Sequence, residues 1–480
     1  MPLDGLRPAA TFAVMRLDES YLPALRTLLP EPVEIVGGGL EGQSTARFLL
    51  SAGYERVTLR DRDPQVEAPD GCAFVGGEGY LQGIPATCSI VRSAGIRPDL
   101  PAFAALRERG GNVVSQLHIF LGLFQGVHGG RVAGITGTFG KGTMTTILSR
   151  MLEASGVAHV VGGNIGTPML DLLREEVLPD VALLELSSFQ LSDLGPVPGL
   201  PREAFAPRLG LAGRVTIEHL DWHRDQIEYW EAKARLCEEQ SDTDHAVYLL
   251  DDPGSVFVGM AGSSVHHGVG KGGAFEPRVD GLLDSEGRQI LSRSEMRVPG
   301  AFQIQNAALA LQASLLLGGD LDSSLRAARE FEGLQHRLQF AGEAAGVRFY
   351  NDSYATRPEA TLAAVEALSD RPLALVLGGS DKNIDFSELA EGLRASKHVV
   401  YVALIGATAG RLREALEKDG ALPFRVEDQP HLPEAFAACR EAVAMGGSVL
   451  LSPACASFGL FKNYKERGEA FLALAAAATA

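Results

Sequence analysis

Cysteine is sparse in this chain and carries no pattern. Cys72, Cys88, Cys237, Cys439 and Cys455 are odd in number and include no Cys-x-x-Cys pair. That excludes a disulfide framework and a structural zinc site as organising devices, and it fits reduced thiols in a cytoplasmic protein. Long apolar runs are missing too. Stretches such as "VVYVALIG" are of strand length, far short of the ~20 residues that cross a bilayer, so no membrane insertion is expected. The opening "MPLDGLRPAATFAVMRLDES" lacks the apolar core of a signal peptide. Basic charge is the third deficit. Lys and Arg number 43 against 60 Asp and Glu, a net charge of −17 with no basic stripe, so nucleic acid is not an expected partner. An acidic protein that handles phosphates must gather positive charge locally, from lysines, helix N-termini or metal ions.

What the chain does have is glycine, 55 residues of it, much of it following short apolar runs. Strands that end in glycine-rich turns belong to α/β folds. The length of 480 residues accommodates roughly three domains, and three segments of alternating strand and helix pattern are visible, with expected domains at 1–111, 112–335 and 336–480. No internal repeat or low-complexity linker separates them. The first segment, "VEIVGGGLEGQSTARFLLSAGYERVTLRD", reads strand, turn, helix, strand. Gly37, Gly39 and Gly42 make G-x-G-x-x-G, and Asp61 closes the next strand. That is the spacing of a dinucleotide fingerprint, and equally of a tight glycine turn in any α/β unit. The second segment carries "RVAGITG", "HVVGG", "VALLELSS" and "HAVYLLDD", apolar on both faces as buried parallel strands are. The third carries "VRFYND", "LALVLGG", "VVYVALIG" and "SVLLSPA", with helical patterns between them and an alanine-rich terminal helix.

The stretch "GITGTFGKGTMTT", Gly134 to Thr146, is the sharpest chemical signal. Gly137 and Gly140 allow backbone N–H groups to turn toward a phosphate. Lys141 supplies a cation, and the following helix points its positive end the same way. A Walker loop has a hydroxyl directly after the lysine. Gly142 cannot provide one; Thr143 can if the helix starts one residue later. The competing reading is a glycine turn with an incidental lysine.

This loop resembles the ATP loop of the Mur ligases, the ATP-dependent amide-forming enzymes of peptidoglycan assembly, and further blocks follow in that family's order. They are "GGNIGTP", "LELSSFQL", "VTIEHLDWH", "YWEAKARL", "GLQHRL", "NDSYAT", "LGGSDKNIDF" and "SPACASFGLFKNYKERG". The match runs from about Val33 to Phe471, and the second and last blocks point to the branch that adds glutamate to UDP-N-acetylmuramoyl-L-alanine. The resemblance implies three domains: a Rossmann-like N-terminal domain for the UDP moiety, a central P-loop ATPase-like parallel sheet, and a C-terminal Rossmann-like α/β domain. It also implies roles. Gly137, Thr138, Gly140, Lys141, Gly142, Thr143, Asn306, Arg337 and Asp352 would meet ATP. Glu185 with the loop hydroxyl, Thr143, would hold one Mg²⁺, and His219 with a carbamylated Lys233 the other. Lys141, Glu185, His219 and Lys233 form the implied catalytic set. Leu40, Glu41, Asp61 and Arg62 match UDP-contacting positions, while Asn164 and Ser187 fall in substrate-contacting blocks. Thr356, Lys382, Ser457, Phe458 and Tyr464 match positions that hold the incoming glutamate. The implied partners are UDP-N-acetylmuramoyl-L-alanine, glutamate and ATP, acting on a cytoplasmic monomer.

Some positions depart from that pattern. Phe139 replaces an asparagine, Gly142 a hydroxyl residue, Tyr354 the lysine of "NDSKAT", and Phe302 and Gln303 a His-Asn pair; Asp63 stands where an arginine is common. Two alternatives therefore stay open beside D-glutamate ligation: L-glutamate as acceptor, and a non-catalytic nucleotide-binding regulator. Spacing alone reads Lys233 as a surface lysine, and lets His219 and His223, four apart, share a helix face.

Overall fold

The computed structural model describes residues 19–479 except 165, 175–176, 198–201, 221, 301, 381–383 and 444–445. The chain forms two compact units: residues 1–277 with 282–290 and 305–327, and residues 278–281 with 291–304 and 328–480.

The first unit holds two parallel sheets. Strands β1 (Val33–Val36), β2 (Val57–Asp61), β3 (Ala73–Gly76), β4 (Ser89–Arg92) and β5 (Asn112–Ser115) are ordered β3-β2-β1-β4-β5, every pair parallel. The expected boundary after residue 111 falls just before β5, which pairs with β4 of this sheet. Strands β6 (Arg131–Thr136), β7 (Val160–Gly163), β8 (Val181–Glu185), β9 (Leu209–Ala212), β10 (His245–Leu249) and β11 (Val265–Val269) follow, ordered β11-β10-β9-β6-β8-β7 and likewise parallel. β8 and β9 are buried along their whole length, because helices cover both faces of such sheets. One apolar cluster runs from Leu25, Val33 and Phe48 through Phe120 to Val132, Leu184 and Leu236, so the two sheets of this unit share a core.

A small sheet of β12 (Phe275–Arg278), β13 (Gly281–Asp284) and β14 (Gln289–Ser292) comes next. In the second unit, β15 (Gln339–Ala344), β16 (Val347–Asn351), β17 (Leu373–Gly378), β18 (Val399–Ile405), β19 (Arg425–Asp428) and β20 (Ser448–Leu451) are ordered β15-β16-β20-β17-β18-β19. Only β15 runs antiparallel, as the partner of β16. Its two faces are covered by separate apolar clusters, one around Leu375, Leu377 and Leu404, the other around Phe349, Val376 and Phe471. The alanine-rich tail forms the expected helix, Tyr464–Thr479. No described helix is long and apolar enough to cross a membrane.

Candidate functional site

In an all-parallel sheet the strand C-termini emerge on one edge, and loops there face ligands. In the first unit the neighbours β9, β6, β8 and β7 end at Ala212, Thr136, Glu185 and Gly163. The loop 137–140 connects β6 to the helix Lys141–Ala154. Gly140 caps that helix with φ +79°, a left-handed conformation that glycine adopts at little cost. Its backbone lies so near Asn306 that a Cβ at residue 140 would sit 2.6 Å from the Asn306 Oδ1. Two residues expected to meet ATP, far apart in sequence, are thus packed side by side.

The loop is tied down from below. Thr138 N–H donates to the Arg214 carbonyl at 2.7 Å, and its hydroxyl pairs with the Tyr229 hydroxyl at 2.9 Å. The carbonyl of Gly137 accepts from Lys141 Nζ at 2.8 Å and from Lys233 Nζ at 2.9 Å. Lys233 lies on the helix Gln226–Glu238, and it is only 1 % exposed. Burial first, and the charge of Lys141 second, push its ammonium far below the usual lysine range, against the opposing pull of Glu218 and Glu185. The surface position that spacing suggested is therefore corrected: packing under the loop buries this lysine.

Glu185 ends β8 at 3 % exposure. Asn164 Nδ2 donates to its Oε1 at 2.7 Å, whereas Oε2 is buried with no hydrogen-bond partner. A buried carboxylate oxygen left unpaired is costly unless something else, such as a cation, meets it. Ser187, two residues on, caps the short helix Ser188–Leu191 and accepts from Gln190 N–H at 3.2 Å.

Two sequence expectations change here. The helix starts at Lys141 itself, so Gly142 and Thr143 are its second and third residues. The later start that would let Thr143 replace the missing hydroxyl does not occur. His219 and His223 do not share a helix face either. His219 sits in an irregular segment with φ +58°, exposed, its Nε2 3.5 Å from Glu218. His223 is buried, with Nε2 2.9 Å from the Ser188 hydroxyl and Nδ1 unpartnered. Burial lowers its pKa to about 4. Phe189 packs against His219, Trp222 and His223, at ring separations of 4.8, 4.8 and 5.8 Å. Among the described residues no three His, Cys, Asp or Glu side chains converge on one point. An ion at Glu185 would need further oxygen donors, such as phosphate or carbamate oxygens. The unpartnered Glu185 oxygen and the neutral-leaning Lys233 amine fit such a set.

The glycine turn of β1 is equally specific. A Cβ on Gly42 would collide with the Gly37 carbonyl, which explains the closing glycine of G-x-G-x-x-G. Asp61 accepts from Gly38 N–H at 2.5 Å and from Asp63 N–H at 2.8 Å, so its carboxylate organises the turn. Glu41 accepts from Ala94 N–H at 3.0 Å and from Gln190 Nε2 at 2.6 Å. Leu40 is 83 % exposed and Arg62 pairs with Glu78 at the surface. One connection in this unit carried no sequence signal. Arg92, at the end of β4, is fully buried and forms a two-pronged ion pair with Asp193 at 2.8 and 2.6 Å.

In the second unit Asp352 is buried. Its two oxygens accept from Leu338 N–H at 3.0 Å and from the Ser452 hydroxyl at 2.7 Å. Burial nevertheless raises its pKa to about 7. The Arg337 guanidinium lies 3.9 Å over the Tyr354 ring. Thr356, Ser457, Phe458 and Tyr464, far apart in sequence, line one cavity of about 620 Å³ together with Arg357, Glu359 and Asn463. The expected Lys382 lies outside the described residues.

Comparison with known proteins agrees with this arrangement. Residues 135–314 match the Mur ligase middle domain, and 336–455 the Mur ligase glutamate ligase domain. The UDP-N-acetylmuramoylalanine–D-glutamate ligase of Symbiobacterium thermophilum is 35% identical, over 93% of this chain and 98% of its own. The protein of the same name from Rubrobacter xylanophilus is 35% identical, over 92% and 97%. Among solved structures, the UDP-N-acetylmuramate-alanine ligase of Thermotoga maritima superposes with a TM-score of 0.56 at 18% identity, covering 92% of this chain and 98% of that one. A MurF ligase from the same organism, solved with ADP, gives 0.54 at 17%, covering 83% and 96%. With similarity along nearly its whole length, and with a lysine-bearing glycine loop beside a buried, half-partnered glutamate, the chain belongs to the Mur ligase family of ATP-dependent amide-bond-forming enzymes.

Proposed function

We propose that this chain joins the amine of D-glutamate to the alanyl carboxylate of UDP-N-acetylmuramoyl-L-alanine, converting ATP to ADP and phosphate, as a cytoplasmic monomer in peptidoglycan precursor synthesis. The observation that carries the reading is the grouping of Lys141, Lys233 and Glu185 at the ends of β6 and β8, under a glycine loop. L-Glutamate as acceptor and a non-catalytic role are disfavoured by relatives whose names specify D-glutamate ligation.

The chemistry follows from the poor electrophilicity of a carboxylate. A substrate carboxylate oxygen attacks the γ-phosphorus, ADP leaves, and an acyl phosphate forms. The uncharged glutamate amine attacks its carbonyl carbon, the nitrogen gives up a proton to solvent or to the leaving phosphate, and phosphate departs with the bonding electrons. Both phosphate and carboxylate are anions, so their approach must be screened. Lys141 and the amides at the head of its helix do this from one side. Mg²⁺, bound at the unpartnered Glu185 oxygen and near His219, would supply the remaining positive charge. Burial lowers the pKa of Lys233, which favours the free amine that takes up CO₂ as a carbamate with release of a proton. Residues Thr356, Ser457, Phe458 and Tyr464, with Lys382, receive the glutamate. Leu40 and Glu41, at the head of the helix Leu40–Ser51, and Asp61 and Arg62, at the end of β2, would meet the UDP moiety, and Asn164 orients Glu185.

The test is phosphate release from ATP and Mg²⁺ with UDP-N-acetylmuramoyl-L-alanine, offering D- and L-glutamate separately. Release that requires both the UDP-sugar and D-glutamate is expected. Release with L-glutamate alone would overturn the acceptor, and no release with either would overturn the ligase reading.

A further inference from the structure

The cavity shared by Thr356, Ser457, Phe458 and Tyr464 contains one cation among its described lining residues, and that cation is Arg357. Its guanidinium is exposed and has no hydrogen bond or ion pair among the described residues. The neighbouring arginines are occupied. Arg467 is buried and donates to the Ser353 hydroxyl and to the carbonyls of Ser353 and Cys455, and Arg337 covers the Tyr354 ring. Arg357 is also firmly based. It is the extended residue, φ −135° and ψ 150°, that precedes the helix Pro358–Ala367, and Pro358 presets the start of that helix. The positive end of the same helix faces the cavity through Pro358 and Glu359.

Among the lining residues Thr356, Ser457 and Tyr464 carry hydroxyls, Asn463 an amide, Arg357 a guanidinium and Glu359 a carboxylate. The described charges cancel. A dicarboxylic amino acid brings two carboxylates, and each needs its own donors. Hydroxyls can orient a carboxylate but cannot neutralise it, whereas a guanidinium offers two parallel N–H donors in the plane a carboxylate requires. Without Arg357 the described lining residues would carry only the negative charge of Glu359, leaving one of the two carboxylates without a cation even if Lys382 met the other. Tyr354, at the head of the same segment, contributes no charge.

We propose that Arg357 selects the amino-acid substrate by binding one of its two carboxylates; this deepens the ligase reading above and rests on it. The side chain is exposed, so its replacement should leave the fold intact. The experiment uses the full chain with saturating ATP and UDP-N-acetylmuramoyl-L-alanine, and varies D-glutamate, D-glutamine and D-isoglutamine. Arg357→Ala is expected to raise KM for D-glutamate by roughly ten- to a hundredfold, the size of a lost charged hydrogen-bonded pair, while kcat and the KM for ATP stay within about threefold. The preference for D-glutamate over one of the two amides should narrow, namely the amide that lacks the carboxylate Arg357 holds. Arg357→Lys should recover part of the affinity. An active wild type whose glutamate KM is unchanged in Arg357→Ala overturns the assignment. So does a raised KM with discrimination against both amides intact. A wild type that releases no phosphate with any of the three overturns the ligase reading and this assignment together.

Discussion

Lys141 and Lys233 share a single acceptor: both ammonium nitrogens point at the Gly137 carbonyl oxygen, at 2.8 and 2.9 Å. One lysine belongs to the phosphate loop and the other to a helix more than ninety residues later in the chain. Two cations meeting on one carbonyl repel each other, which disfavours the charged form of the buried one. Burial, then Lys141, lowers the pKa of Lys233, which is what a carbamate-forming amine needs.

The first prediction concerns that lysine. Lys233→Ala should abolish phosphate release, and added short carboxylates should restore part of it; a fully active variant would remove the carbamate from the mechanism. Lys233→Met should also be inactive, yet as stable as the wild type or up to about 2 kcal/mol more so, because a buried ionisable group is replaced by an apolar one. The pH dependence has a definite sign. Between the lowered folded pKa and the unfolded value near 10.4 the folded protein binds fewer protons, so the contribution of Lys233 to stability rises with pH. Urea titrations of Lys233→Met should lack that rise.

Gly140→Ala should cost about 1–2 kcal/mol from its left-handed backbone alone. The added methyl also presses on Asn306, 2.6 Å from its Oδ1. Thermal unfolding and ATP titration should show both a lower Tm and a weaker ATP affinity. Unaltered ATP binding would detach Gly140 and Asn306 from the nucleotide.

Asp352 titrates at about 7, raised by burial. Its folded pKa lies above the unfolded carboxylate value, so the folded state holds the extra proton. Its stabilising contribution is complete below pH ~4 and is lost as pH rises toward 7, at roughly 1.4 kcal/mol per unit. Asp352→Asn keeps an acceptor for Leu338 N–H. The stability difference between wild type and this variant should therefore shift against the wild type between pH 5 and pH 8. A difference independent of pH would mean that Asp352 is ionised throughout.

Asp193→Ala should destabilise the first unit by about 3–5 kcal/mol, since it leaves the buried Arg92 charge without its carboxylate. Arg92 would retain only the carbonyls of Ser93, Ala94, Ile96 and Phe189 and the Ser192 hydroxyl. A change below 1 kcal/mol in denaturant unfolding would mean that these acceptors suffice.

Much of the fold was legible before any coordinates. "VALLELSS" and "LALVLGG" are apolar on both faces because they are inner strands covered on both sides, and they became β8 and β17 as expected. Edge strands were harder to read. β19, Arg-Val-Glu-Asp and only partly buried, lacks the continuous apolar run that marks a central strand. The helix start at Lys141 and the irregular backbone at His219 escaped the sequence reading for a related reason: both are set by contacts that local spacing does not reveal.

By itself, then, the order of residues determined the parallel α/β plan, the glycine turns and the positions where charged groups would face ligands, because strand burial and left-handed turns are local demands on residue type. Only the tertiary structure decided which of those groups are buried and which line a shared cavity. Lys233 looks like any lysine on a polar helix until the loop at Gly137 closes over it, and Arg357 looks like loop polarity until Ser457 and Tyr464 arrive to complete its cavity. Desolvation and unmet hydrogen bonds depend on what packs against a side chain, and those neighbours come from far along the chain.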